Sequence, residues 1–180
     1  MKRVVLGIFG VSAVATAGDA VWYELGIEHR LAAGVIHGAI LLAAVGAVVG
    51  LAARRPAAGA AAGAASGVGG ALVFYLLARP AGGGIAMGAG WATVWILLAA
   101  LDGRVLRRPP RSWTAILARA LGASALSGLA FFAVLGTLWG PPPEAGRNYL
   151  VQLGAWLLAW APGLLALTWP GAAEPSEEPT

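Results

Sequence analysis

The chain has no cysteine and only two histidines among its 180 residues, and charged residues make up 11% of it. Without cysteine there are no disulfides, no thiolate nucleophile, no thiolate zinc site and no iron–sulfur ligation. The scarcity of charge, set against 59% hydrophobic residues and a mean hydropathy of +0.77, excludes an ordinary soluble domain. The usual catalytic signatures are also missing. There is no GxSxG elbow, no phosphate loop, no Rossmann fingerprint in a strand–turn–helix setting and no paired-acid motif of the kind used by CDP-alcohol transferases. Glycine is plentiful, but it lies within apolar runs.

Those apolar runs are what the sequence does contain. A spanning helix needs about 20 predominantly apolar residues, and six such segments fit: about 4–23, 31–53, 57–78, 85–101, 113–139 and 148–169. The expected fold class is therefore all-α, a polytopic integral membrane protein forming a single domain over residues 1–170. The acidic, proline-containing end, residues 171–180, is expected to be disordered. Met1-Lys2-Arg3 and Ala15-Thr16-Ala17 also resemble a cleavable signal peptide. The continuation of the apolar run through Val21-Trp22-Tyr23 favours a retained first helix.

Charge orients the helices. With both termini cytoplasmic, one side collects Lys2, Arg3, Arg54, Arg55, Arg104, Arg107, Arg108, Arg111 and, by snorkelling, Arg119. Only Arg30, Arg79 and Arg147 fall on the other. The pI of about 10.3 thus reflects membrane topology, and nucleic acid is not an expected partner. The expected location is a bacterial-type cytoplasmic (inner) membrane, with Arg104, Arg107, Arg108 and Arg111 beside anionic lipid headgroups. A second copy of the chain or another membrane protein is a possible partner. Helices 1–3 and 4–6 have the odd count that an inverted repeat requires, without visible sequence similarity.

Gly59, Gly63 and Gly67 recur every four residues, and such a face lets another helix backbone approach closely. Trp91 and Trp95 share a face of the fourth helix and are candidates for packing or for stacking on a ligand. Pro162 should kink the last helix, with neighbours re-satisfying the freed carbonyl.

The stretch Thr16–Gly38 gathers Asp19, Tyr23, Glu24, Glu28, His29 and His37. Asp19 and His37 fall inside apolar spans, where a carboxylate is expensive and wants a partner. His37 is the leading candidate, with Tyr75 or Gln152 as further donors. Three readings follow: a structural polar clasp, the polar mouth of a cavity for a lipid or other amphipathic molecule, or a metal or proton site using Asp19, Glu28 and His37. The spacing matches no tight metal motif. The residues leave any cofactor unassigned, and the balance is against an enzyme. A binding or scaffold protein is expected first, and a small-solute transporter or a membrane subunit with an outward-facing Asp/His site second.

Thr93-Val94-Trp95-Ile96 through Leu101-Asp102-Gly103-Arg104 resembles the end of the fourth helix in the Insig family, whose Asp-x-x-Arg pattern appears here with the arginine one position early. The span from Tyr149-Leu150-Val151-Gln152 to Ala161-Pro162-Gly163 is similar to that family's last helix, and the six-helix layout matches. At the start of the second helix the chain departs from the family, with Arg30-Leu31-Ala32-Ala33-Gly34 in place of paired tryptophans and prolines. The resemblance implies a non-enzymatic lipid-binding or sensing protein, with Asp102 as a partner-contact or conformational residue.

Overall fold

A computed structural model describes residues 2–27, 31–107, 109–138 and 148–169. Glu28, His29, Arg30, Arg108, the Pro141–Pro143 connection with Glu144 and Arg147, and the acidic tail lie outside the described residues. The described chain forms six helices: α1 (Lys2–Glu24), α2 (Leu31–Ala52), α3 (Pro56–Ala81), α4 (Gly83–Leu101), α5 (Trp113–Leu138) and α6 (Tyr149–Thr168). A π-helical turn, Asp102–Leu106, continues α4. Each of the six is long and apolar enough to cross a membrane, and the described residues contain no strand.

The bounds differ from expectation mainly around Arg79–Gly84. Arg79 and Pro80 belong to α3 rather than to a connection, and α4 already begins at Gly83. Gly82 alone makes the break, with a φ of 81° that glycine adopts without a Cβ penalty. The reversal between α2 and α3 is equally tight. Arg54 takes a positive φ of 58°, the Arg55 amide donates to Gly50 O at 2.7 Å, and Pro56 opens α3 where its missing N–H costs nothing.

Each helix packs on the next in sequence, and α6 returns to α1, so the six close into a ring. The α2–α3 seam is the most extensive contact. Gly46 and Gly50 of α2 face Gly59 and Gly63 of α3 with no side chain between them. A Cβ added to Gly63 would sit 2.8 Å from Gly46 Cα and closer still to the Leu42 carbonyl. Backbone therefore meets backbone along the face that the four-residue glycine spacing marked.

The core lies between α1, α2, α4, α5 and α6. Trp95 and Trp160 are fully buried there with Leu98, Leu164 and Leu167. Gly163 leaves the space that the Trp95 ring fills. Near Pro162, the Ser127 hydroxyl of α5 donates to the Ala159 carbonyl, next to the Leu158 carbonyl that the proline frees. Buried Ser12 and Ser66 instead donate to carbonyls four residues back, at 2.8 and 2.9 Å, which satisfies a hydroxyl where water is absent.

Gly63→Ala forces the α2 and α3 backbones apart, because only main-chain atoms surround the new methyl. It should destabilise the fold by about 1–3 kcal/mol. Gly122 of α5 has open space at its Cβ position, so Gly122→Ala should stay within about 0.5 kcal/mol. Thermal unfolding of both variants in one detergent checks the pair; equal midpoints would contradict the seam.

Candidate functional site

The bundle carries polar clusters at its two ends. At the end formed by the α1–α2 connection, α1 presents Asp19 one turn before Tyr23. The Asp19 Oδ2 accepts hydrogen bonds from Gln152 Nε2 at 2.6 Å and from Trp156 Nε1 at 2.7 Å. Gln152 and Trp156 are four apart on α6 and therefore share a face. One turn further out, the Tyr149 hydroxyl donates to Glu24 Oε1 at 2.6 Å. Asn148 caps α6 by accepting from the amides of Leu150 and Val151.

Two of the partners of Asp19 are thus on α6, and among the described residues no hydrogen bond joins it to His37. His37 stands edge-on to Trp22, with centroids 5.3 Å apart at 79°. It also lies against Gly18, where an added Cβ would come within 2.8 Å of the imidazole. Lack of a side chain at Gly18 lets the ring sit close to α1.

Below this polar rim lies a cavity of about 710 Å³. Asp19, His37, Tyr75, Gln152 and Trp91 line it, together with Trp22, Tyr23, Phe74 and Met87. Gly34, Gly38, Gly67, Gly70 and Gly90 give part of its wall as bare backbone. On α2 the lining runs from Gly34 to Leu42 and on α3 from Tyr75 to Gly67, about 12 Å along the axis at 1.5 Å per residue. The cavity therefore occupies one half of the bundle. Gly26 and Ile27 of the α1–α2 connection border it as well.

The two tryptophans of α4 separate. Trp91 borders the cavity and stacks on Phe131 (4.2 Å, 15°) and on Trp160 (4.8 Å, 29°), whereas Trp95 is wholly enclosed in the core. The indole N–H groups of Trp91, Trp95 and Trp160 meet no acceptor among the described residues. No group of three His, Asp or Glu side chains able to hold a metal occurs among the described residues. The candidate Glu28 lies outside them.

At the opposite end, Asp102 opens the π-helical turn and is completely buried. Its Oδ1 accepts from Arg107 Nε at 2.9 Å and its Oδ2 from Arg111 Nη1 at 2.8 Å. Arg119, expected to reach toward headgroups, donates from Nη1 to the Leu167 and Ala166 carbonyls at 2.8 and 3.1 Å, so it caps the last turn of α6. Arg55 Nη1 donates to Val105 O at 2.7 Å, tying the α2–α3 reversal to the π-helical turn. Arg104 lies over the Trp113 ring, 5.1 Å from its centroid. Burial pushes the Arg111 guanidinium below its ordinary value; Asp102 opposes that, while Arg107 and Arg119 add to it. Arginine remains charged at neutral pH despite such shifts.

Comparison with protein-family models, curated proteins and solved structures finds no match to this chain. The likeness to the Insig family therefore gains no support beyond a six-helix layout.

Trp156 and Trp22 were absent from the expected site residues. The Gln152/Trp156 spacing could have pointed to the first, because both donors lie on the face opposite a carboxylate needing partners. Nothing in the sequence pairs Trp22 with His37.

Asp19→Leu leaves the Gln152 amide and the Trp156 indole N–H without their acceptor, at about 1–3 kcal/mol for each stranded group. Asp19→Asn keeps an acceptor oxygen and should lose less than half as much. Asp102→Asn removes the countercharge of two arginines and should cost about 3 kcal/mol, the low end of the range for buried pairs because both arginine side chains are partly exposed. Chemical unfolding in detergent ranks the three variants; Asp19→Asn as damaging as Asp19→Leu would contradict the hydrogen-bond account.

Proposed function

We propose that this is a multi-pass membrane protein that binds a lipid or other small amphipathic molecule in the cavity below Asp19 and His37. The six apolar helices are compatible with membrane insertion. The observation carrying the reading is the cavity itself. It has a volume in the range of small-molecule sites, its wall is mainly aromatic rings and bare backbone, and its polar groups gather at one end. An amphipathic molecule has the same distribution, with an apolar body and one polar terminus. Such a molecule would place its polar end near Asp19, His37, Tyr75 and Gln152 and its body against Trp91 and the glycines.

Catalysis forms no part of this reading, and an Insig-like lipid-sensing role is one form of it. The protein is placed in a bacterial-type inner membrane with the arginine-rich end cytoplasmic. The charge asymmetry supports that orientation: Lys2, Arg3, Arg54, Arg55, Arg104, Arg107 and Arg111 sit at the end that holds both the start of α1 and the end of α6.

Lipidomics of protein purified in mild detergent tests the cavity. A specific amphiphile should copurify with the wild type above an unrelated membrane-protein control. Ala71→Phe, which places a ring in the cavity, should reduce its recovery by at least about tenfold, the equivalent of 1.4 kcal/mol. Unchanged recovery from a folded Ala71→Phe protein would remove the cavity as the binding site.

Orientation is testable because the chain contains no native cysteine. A cysteine replacing the exposed Leu25 should react with an impermeant reagent from outside, while one replacing the exposed Val105 should not. The opposite pattern reverses the topology.

A further inference from the structure

Among the described residues, the Asp102 end holds more positive charge than its carboxylate matches. The guanidiniums of Arg107 and Arg111 bond one buried carboxylate, and that of Arg119 lies near enough to interact with it electrostatically. The α6 carbonyls that Arg119 caps supply only the partial negative charge of a helix end. Arg107 also keeps a nitrogen, Nη2, that is shielded from solvent and has no acceptor among the described residues. An unsatisfied buried donor on a charged group is costly. A donor so placed, beside two further cations, is one that an oxygen of a second anion would satisfy.

The geometry is preorganised. Asp102 uses a separate oxygen for each of two arginines, holding them side by side while their side chains remain 22% and 18% exposed. Fixed, adjacent guanidinium forks match the several acceptor oxygens of a phosphate. The surroundings favour a lipid as the source of that phosphate. Trp113, Leu117 and Leu121 form an exposed stripe at four-residue spacing that runs along α5 away from the cluster, and Trp169 is exposed at the same end. A phosphate at the arginines would leave attached acyl chains free to lie along that stripe, with tryptophan at headgroup level.

We propose that Arg107 and Arg111, positioned by Asp102, and Arg119, positioned by the α6 carbonyls, form a site for the phosphate group of an anionic membrane lipid. The site is separate from the cavity, which lies at the other end of the bundle. It differs from general attraction of a basic loop to a charged surface, since Arg104 lies over Trp113, reaches only the main-chain carbonyl of Arg111 at 3.5 Å and makes no bond to the Asp102 carboxylate.

Native mass spectrometry of the full chain, titrated with phosphatidylglycerol and with phosphatidylcholine, tests the proposal. The wild type should retain a single phosphatidylglycerol about tenfold more tightly than phosphatidylcholine, or 1.4 kcal/mol. Arg107→Gln should bring that preference below about threefold, and Arg107→Lys, which keeps charge without the fork, should fall between. Arg104→Gln should leave the preference within about twofold of the wild type, as expected for a contact outside the site.

Equal wild-type affinity for the two lipids overturns the proposal without recourse to any variant. So does an Arg104→Gln loss as large as that of Arg107→Gln, which would signify diffuse surface attraction. Displacement of phosphatidylglycerol by excess inorganic phosphate, with equal thermal protection by phosphate alone, overturns the lipid assignment in favour of a soluble anion. Ala71→Phe should leave the phosphatidylglycerol preference intact, so failure of the cavity reading and failure of this one are distinguishable.

Discussion

Polar groups placed among apolar helices must find partners within the protein, because hydrocarbon supplies none. That constraint organises both ends of the bundle, and at both ends the helix it engages is α6. Asp19 of α1 takes its donors from Gln152 and Trp156 near the start of α6. Arg119 of α5 places its guanidinium on the carbonyls that close α6. The last helix is therefore held by hydrogen bonds at its two ends and by stacked tryptophans between them. The α2–α3 seam is joined by the opposite means, a contact stripped of side chains.

These two kinds of joint give the cavity its place. Where glycines of α2 and α3 meet directly, near Gly46 and Gly63, the helices leave no space. Toward the Asp19 end the close contact continues through Gly38 and Gly67, the Tyr75 ring packs on Gly34, and the cavity opens where Trp22, Tyr75 and Trp91 line it. Among the described residues none of α5 lines it, and the helix backs Trp91 through Phe131.

Much of the architecture was legible in the sequence because lipid imposes a simple length rule, and the breaks at Arg54-Arg55-Pro56 and Asp102–Ser112 are marked by charge and proline. The Gly82–Gly84 run was harder. Three glycines look like a loop, yet a single positive φ at Gly82 completes the turn and the other two start a helix. In the site, the need of Asp19 for partners and the part of Gln152 as a donor were legible, while the second donor, Trp156, was not. Sequence reports depth along a helix but not which helices stand side by side, and closure of the ring brings α6 against α1. Arg119 shows the same limit. Its position near a helix end suggested snorkelling, while the carbonyls it caps belong to a helix 47 and 48 residues away in sequence.

The glycine wall has a further consequence for anything that occupies the cavity. Ordering side chains around a guest costs rotamer entropy, up to about 2 kcal/mol for a long one. Gly34, Gly38, Gly67, Gly70 and Gly90 have no rotamers to surrender, and the aromatic side chains opposite them have few. A guest is therefore met by a surface that is nearly as ordered before its arrival as after. Such a surface discriminates by thickness more than by adaptation: a molecule too broad for the gap must move helices rather than side chains.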